Sequence, residues 1–394
     1  MYYLGYLKDR FLTRAYDIAV ILLTIKVISS ATIYFDFPKL VQNGLMVAAY
    51  FCILLHILQN RYRLRVLVSF FIITILVLYS SYKMHNLLYL SSWFLIMGAV
   101  KYDLDRTIKL MFSVTLVIFI FSIILSSALY FLGYDHDLLI NIRRGDTVAF
   151  AFGFVHPNKF AVILSNLCLM WLWLKRESLQ YFYLLALLGL QIFFFLFTKT
   201  RTALIIFILV AFFLFLYKRY KSSSFQALRY TFTVVGGGFW GLTYLFQTSR
   251  HPISIMVDRA LTGRIQFAAY AKTHFGFTFL GQLINDSISW DPIWKLNSFT
   301  FDSLYSFLWY NAGAIWFFIL CYVFIKLRYR LDSIGIIFLA CWALYAATET
   351  DTILPAYGFQ ILFISQLFEQ QKLEREQRVI KNLKRRRIVV KSFS

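Results

Sequence analysis

Long, unbroken apolar runs, such as residues 109–133 and 180–198, constrain this chain more than any other feature. A helix that crosses the hydrocarbon core of a bilayer needs about 17–25 such residues. Within that core the backbone must satisfy its own hydrogen bonds, which restricts a chain to helices or a closed barrel. The runs do not alternate polar and apolar residues, so they predict helices. Only 15% of the residues are charged, whereas about 25% is usual in soluble domains, so we predict an all-α polytopic membrane protein.

About twelve runs have the length of a membrane span, and most are separated by short basic connections. The fourth and the last are short for a helix that crosses a bilayer. The predicted spans cover residues 16–35, 41–58, 65–81, 86–100, 109–133, 155–174, 180–198, 201–217, 230–247, 304–325, 333–350 and 353–368.

The basic residues indicate an orientation. The formal net charge is +21, and most Lys and Arg residues lie in alternate connections and after residue 371. Cytoplasmic loops carry an excess of Lys and Arg, so this pattern predicts that both termini are cytoplasmic. Basic turns on that side also meet anionic lipid headgroups. The charge therefore indicates membrane lipids, and not nucleic acid, as partners.

Two predicted outer connections are longer than a turn, at 134–154 and 247–304, and the second is a large outer-face loop between the ninth and tenth spans. Within it, residues 265–281 predict a short amphipathic helix at the membrane interface. Residues 372–394 are a basic tail that predicts a cytoplasmic surface helix. No internal repeat is evident, so residues 1–371 are predicted to form a single integral membrane domain.

A set of arginines on the predicted outer face runs against the positive-inside trend, which makes them candidates for substrate binding. Guanidinium groups bind phosphate and carboxylate through paired donors and stay charged at any relevant pH. An outer arginine cluster beside lipid therefore suits a pyrophosphate or an anionic glycan. Alternatively, these side chains bind lipid headgroups or pair with nearby aspartates. The set comprises Arg143, Arg144, Arg201, Arg250, Arg259 and Arg264.

Three further polar residues lie at predicted helix starts on the same face. His156 and Asn158 flank a proline at the mouth of the sixth span, where they either cap the helix or bind a sugar hydroxyl; His156 can also move a proton. Asp302 precedes the tenth span and either caps it or accepts a proton from an attacking hydroxyl. Glu349 and Asp351 have a similar but weaker claim at the end of the eleventh span.

The sequence contains no Gly-rich phosphate loop, no metal-ligand cluster and no nucleophile elbow. Its four cysteines all lie within apolar runs and are predicted to be small core residues. An enzyme without a nucleotide-binding domain fits a lipid-linked donor better than a nucleotide sugar. We therefore predict neither a metal nor a cofactor.

Four short motifs, the third of them in two parts (261–265 and 279–282), occur in a characteristic order. They resemble the O-antigen polymerase and ligase superfamily, and in particular the Wzy-type polymerases of oligosaccharide repeat units. The resemblance covers about residues 140 to 315. The motifs are F-G-F-V-H-P-N-K-F (152–160), T-K-T-R-T-A-L (198–204), L-T-G-R-I (261–265), F-L-G-Q (279–282) and F-D-S-L-Y…N-A-G (301–313).

The resemblance implies a metal-independent glycosyltransferase of the bacterial cytoplasmic membrane, in capsule, O-antigen or exopolysaccharide biosynthesis. Its donor would be a growing glycan on undecaprenyl diphosphate, and its acceptor one lipid-linked repeat unit at the outer face. Arg201 and Arg264 match the family arginines that bind the diphosphate, and Arg143 or Arg144 would be a third. Flippase and chain-length regulator proteins are the protein partners that the resemblance implies.

Ligases of the same superfamily have a His-Asn pair where this chain has Asp302 and Ser303. That difference favours a polymerase over a ligase and makes Asp302 the candidate base, with His156 and His274 as rivals. A transporter or flippase of lipid-linked glycan is a third hypothesis. Transporters often contain inverted repeats and broken helices, and the sequence indicates neither.

Overall fold

A computed structural model of the protein describes residues 2–35, 37–133, 140–142, 148–220, 223–284, 291, 294, 296 and 299–369. Nearly all of the regular structure in these residues is helical. The α-helices are α1 Tyr2–Ser29, α2 Lys39–Gln59, α3 Leu64–Met84, α4 Leu88–Ala99, α5 Leu104–Phe131, α6 Pro157–Leu174, α7 Tyr181–Thr198, α8 Arg201–Tyr220, α9 Thr231–Ser249, α10 Pro252–Ala260, α11 Arg264–His274, α12 Leu304–Phe307, α13 Ala314–Leu327 and α14 Ser333–Tyr345.

Six of the described helices are long and apolar enough to cross a membrane: α2, α3, α5, α6, α7 and α8. Three shorter apolar helices, α4, α13 and α14, accompany them. The one sheet in the described residues is a two-stranded antiparallel hairpin of β1 Ile140–Ile142 and β2 Val148–Phe150. The architecture is therefore that of an all-helical, multi-pass membrane protein, as predicted.

Helix α6 is largely buried and contacts α5, α7 and α8. Its Phe160 is fully buried and meets the ring of Phe119 at 4.8 Å and that of Phe194 at 5.0 Å. At the other end of α6, Trp173 packs against Phe363 at 4.6 Å. The four cysteines are free and buried, which confirms their prediction as core residues.

The tenth predicted span, 304–325, is wrong as a single helix. α12 continues into one π-helical turn, Leu308–Ala312, and the chain then reverses at Gly313, where φ is 114°. The rings of Tyr305 and Phe317 are 6.4 Å apart, whereas twelve residues of straight helix would separate them by about 18 Å. A Cβ atom at Gly313 would lie 2.6 Å from the carbonyl oxygen of Phe279, so glycine is needed at this reversal. We call residues 304–327 the helical hairpin.

The last two predicted spans, 333–350 and 353–368, are also shorter or less regular than expected. α14 ends at Tyr345, and residues 346–358 form a buried non-helical segment that includes one 3₁₀ turn, Thr350–Ile353. A second 3₁₀ helix, Phe359–Leu367, follows. α14 stops because other elements bind its next carbonyl groups: the backbone N–H of Leu304, for example, donates to Ala346 O at 2.8 Å.

The predicted outer-face loop 247–304 contains two helices, α10 and α11, where one was expected. The expected interface helix 265–281 begins one residue earlier and ends at His274, because Gly276 adopts a positive φ of 69°. Most of its side chains up to Ala271 are buried, so α11 is part of the core. The predicted tail helix, 372–394, lies outside the described residues.

Candidate functional site: a buried charge cluster between four segments

Six polar side chains from four distant segments meet at one end of the helices. The segments are the start of α6, the start of α11, the residues before α12 and the non-helical segment after α14. We call these six residues the junction cluster. They are Asn158, Lys159, Arg264, Asp302, Glu349 and Asp351.

The start of α6 supplies two members of the cluster. His156 is the N-cap of α6, and its Nδ1 accepts the backbone N–H of Asn158 at 3.0 Å, which confirms the capping interpretation of this residue. The side-chain amide of Asn158 donates to Glu349 Oε1. The ammonium group of Lys159 pairs with Asp351 and lies 5.2 Å from the centre of the Tyr357 ring.

The turn before α11 fixes the position of Arg264. Thr262 and Gly263 both have positive φ angles, 56° and 90°, so the chain turns sharply into the helix. A β-branched residue with positive φ is a backbone outlier, and such strain is concentrated at functional sites. The Thr262 hydroxyl accepts a hydrogen bond from Arg264 Nη1, so the strained residue itself helps to orient the guanidinium.

The guanidinium of Arg264 is buried, and most of its donors are used within the protein. Nε donates to Thr348 O and Nη1 to Leu261 O, both at 2.9 Å. Nη2 lies 3.6 Å from Glu349 Oε1, which is longer than a normal hydrogen bond. Arg264 therefore joins the turn before α11 to the segment after α14, and Nη2 is its donor group without a hydrogen bond among the described residues.

Glu349 lies in the segment after α14 and is only 6% exposed. Burial raises the pKa of its carboxyl group to about 7, although Arg264 and Asn158 both favour the ionised form. Desolvation disfavours a charge more strongly than these two partners restore it. The ion pair between Glu349 and Arg264 therefore depends on pH near neutrality.

Asp302 is partly exposed and does not cap α12, so the capping interpretation is wrong. The N-cap is Ser303, whose side chain makes no capping hydrogen bond because its hydroxyl donates to Ala346 O instead. Asp302 accepts a hydrogen bond from the Thr300 hydroxyl at 3.1 Å. Its charge also acts on Lys159 and Glu349, which places it at the edge of the cluster that solvent reaches.

Arg201 lies at the same end of the molecule but outside the cluster. As the first residue of α8 it is exposed, and it forms no ion pair with the rest of the described chain. The start of α8 shares a small cavity with the first turns of α6, where Thr200 and Ala203 face Ala161 and Leu164. An unpaired arginine beside the start of α6 is available to an incoming anion.

The other predicted residues are more scattered. Arg250 ends α9 in a left-handed conformation, and Arg259 is exposed on α10, the helix that leads into the turn before Arg264. Arg143 and Arg144 lie outside the described residues. His274 is at the far end of α11, about 15 Å along the helix from Arg264, where it stacks on Tyr270 at 4.0 Å. The structure therefore does not bring this rival base to the cluster.

Sequence reasoning gave too little weight to Lys159 and Glu349. Both fall inside predicted apolar spans, and an ionisable residue within such a span is a candidate functional residue. That signal identifies both residues without a structure. Tyr345 had no such signal: its buried hydroxyl has no hydrogen-bond partner among the described residues, and it interacts electrostatically with Arg264 and Glu349.

The cluster combines a reachable carboxylate, a buried guanidinium with one remaining donor group, and an unpaired arginine nearby. Such a set can accept a proton at one point and stabilise negative charge at another. Among the described residues, no group of three or more His, Cys, Asp or Glu side chains is placed to hold a metal ion. No family model, curated protein or solved structure matches this chain.

Proposed function

We propose that this protein is a polymerase of lipid-linked oligosaccharide repeat units at the outer face of the bacterial cytoplasmic membrane. In this proposal the chain crosses the membrane about twelve times and both termini are cytoplasmic. The donor is a glycan on undecaprenyl diphosphate, and the acceptor is one lipid-linked repeat unit. The products serve capsule, O-antigen or exopolysaccharide biosynthesis.

The observation that carries this proposal is the meeting of three sequence motifs. Residues 156–159, 261–264 and 301–303 come from the motifs that resemble the O-antigen polymerase superfamily, and they converge around Glu349. Along the chain the first segment lies about a hundred residues before the second, and the second lies about forty residues before the third. A polar cluster at the end of an apolar bundle is where the polar part of a lipid-linked substrate would meet the protein.

The charges support a division of roles. Arg201 and the Nη2 group of Arg264 bind the donor diphosphate, where negative charge grows as the glycosidic bond breaks. Asp302 takes the proton from the acceptor hydroxyl as its oxygen bonds to the anomeric carbon. The bond between that carbon and the phosphate oxygen breaks, and undecaprenyl diphosphate leaves with the electron pair.

The remaining polar residues would hold the glycan. His156 and Asn158 lie beside the cluster and offer hydrogen bonds to sugar hydroxyl groups. The outer arginines Arg143, Arg144, Arg250 and Arg259 would bind anionic groups of the substrate. Glu349 acts on Arg264 and Asn158, so we assign it a positioning role.

A gel of lipid-linked glycans from cells with and without the gene tests the proposed function. A ladder that collapses to one repeat unit on deletion supports a polymerase. A full ladder that remains on undecaprenyl diphosphate indicates a ligase instead, and a complete loss of outward glycan indicates a flippase.

Complementation of the deletion strain tests the site. We expect Arg264→Ala to reduce polymer by roughly 10²- to 10³-fold, the usual loss when one transition-state donor is removed. Arg65→Ala, which removes an exposed arginine next to the start of α3, serves as the matched control and should restore the full ladder. Full-length polymer from an Arg264→Ala protein that inserts normally would contradict the assigned role.

A further inference from the structure

A largely apolar cavity lies between α3, α4, the helical hairpin and the 3₁₀ helix Phe359–Leu367. Its wall on α3 runs from Ile73 to Met84, which is about 16 Å of helix rise. Its opposite wall includes Trp316 and Leu320 of α13. The cavity therefore extends over about half of a hydrocarbon core that is roughly 30 Å thick.

The surface around this cavity is apolar as well. On α3, Phe71 and Ile75 are exposed, and on α13 Phe318 is exposed. In a multi-pass membrane protein these faces meet lipid, so the molecules that can reach the cavity from the side are hydrocarbon chains and not water-soluble ligands.

The cavity begins close to the junction cluster. Its wall includes Phe307, five residues after Asp302, and Ile353, two residues after Asp351. The Nη2 group of Arg264 and the exposed Arg201 near the cluster offer donors to an anionic head group, and the apolar cavity suits a hydrocarbon chain. An anionic phospholipid and a lipid diphosphate both have these two parts, and the proposed function selects the lipid diphosphate.

We propose that this cavity binds the first part of the polyisoprenoid chain of the lipid diphosphate whose head group lies at the junction cluster. This inference rests on the proposed function. It assigns α3, α4 and the helical hairpin to recognition of the carrier chain. Their apolar sequences alone would indicate only contact with membrane lipid.

The size and the polar groups of the cavity agree with such a chain. Its volume of about 130 Å³ is close to that of a cavity of about 150 Å³ that admits benzene, so it encloses about one five-carbon unit. The hydroxyls of Ser81 and Ser92 line it and have no hydrogen-bond partner among the described residues. The double bonds of an isoprenoid can accept weak hydrogen bonds from such groups, whereas a saturated acyl chain cannot.

The test fills the cavity and compares each variant with a neighbour that faces outward. Val77 lines the cavity on α3, and Ile75 is exposed on the same helix; Ile319 and Phe318 form a second such pair on α13. Binding of undecaprenyl diphosphate and of phosphatidylglycerol to the purified full-length protein is measured by native mass spectrometry. Size-exclusion chromatography identifies any variant that does not fold. If a variant of one pair does not fold, the comparison uses the other pair.

We expect Val77→Trp and Ile319→Trp to weaken binding of undecaprenyl diphosphate by about tenfold, the lower range for a misfit in an apolar pocket. Ile75→Trp and Phe318→Trp should leave it unchanged. Equal binding by all four variants would overturn the cavity assignment and leave the proposed function intact. If Val77→Trp and Ile319→Trp weakened phosphatidylglycerol binding as much as undecaprenyl diphosphate binding, the cavity would be a general lipid site, which would also overturn the cavity assignment. A wild-type protein that binds no undecaprenyl diphosphate would overturn both proposals.

Discussion

Helices α6 and α7 are neighbours in the chain, have 18 residues each and pack against one another, yet they have opposite environments. Within α6, 78% of the residues are buried inside the protein, whereas within α7 only 17% are. The buried residues of α7 are Leu184, Gln191 and Thr198, which form a single stripe. α7 is therefore a peripheral span, whereas α6 is enclosed by the rest of the protein.

In soluble proteins the most apolar segments are the buried ones, and here the order is reversed. α7 is the more apolar helix, yet it is the one that faces lipid. α6 carries polar residues along its length, from Asn158 and Lys159 at the cluster to Asn166 in the core, whose amide donates to Ala356 O at 2.8 Å. Polar groups in a membrane must find partners inside the protein, so the least apolar span is drawn to the centre.

The largest expected effect tests this difference in packing. Phe160→Ala should destabilise the protein by about 3 kcal/mol, because it removes a fully buried ring from an aromatic cluster. Phe193→Ala on α7 removes a ring that is 52% exposed, and we expect a change within about 0.5 kcal/mol. Reversible unfolding in mixed micelles measures both. Equal losses of stability would show that α6 and α7 do not differ in how far they are buried in the protein.

A second expected effect concerns pH at the start of α6. The pKa of Glu349 is raised to about 7, so its ionised form, which holds Arg264 and Asn158, is lost as the pH falls through about 7. Polymerisation should therefore decrease by about tenfold from about pH 8 to about pH 6, following the ionised fraction. Assays on purified protein in nanodiscs measure this profile.

The matched variant is Glu349→Gln, which keeps the shape of the side chain but does not titrate. We expect lower activity than wild type at about pH 8 and a flat profile around neutrality. A step that persists in this variant would assign the pH dependence to another group and remove the positioning role from Glu349.

The smallest expected effect compares the two ends of α6. Lys159 and Asp351 form an ion pair at its start, and their side chains are 30% and 26% exposed. A double-mutant cycle with Lys159→Met and Asp351→Asn should give a coupling of about 1 kcal/mol in polymerisation, because partial exposure weakens the pair. At the other end, Asp105→Asn breaks the ion pair with Arg176 and should not shorten the polymer. Shorter polymer from Asp105→Asn as well as from the Lys159 and Asp351 variants would show that the two ends of α6 do not differ in function.

The regular helices of this fold can be predicted from the sequence alone. Predicted spans at 41–58 and 180–198 agree with α2 and α7 within a few residues at each end. Of the predicted site, Asn158, Arg264 and Asp302 come together, although they lie in separate segments. Apolar runs and helix-start signals are local, and a local pattern suffices for the helices. The choice of Arg264 and Asp302 followed from the family resemblance, and their meeting is a tertiary contact that no local pattern predicts.

The interruptions of the spans could not be predicted in the same way. Hydropathy treats residues 304–325 as one span, because the reversal depends on Gly313 and on its close contact with Phe279. The early end of α14 depends on donors from Arg264 and Leu304, which are distant in sequence. Both features result from tertiary contacts, which a pattern of neighbouring residues does not contain.

The buried segment after α14 also has a consequence for the order of events during synthesis. Its carbonyl groups take hydrogen bonds from residues made much earlier: Arg264 binds Thr348 O from 84 residues away, and Asn166 binds Ala356 O from 190 residues away. Contacts at such separations form late, and here the donors are already inserted when the acceptors leave the ribosome. The junction cluster therefore cannot form before Glu349 and Asp351 have been synthesised, although its other members are made earlier.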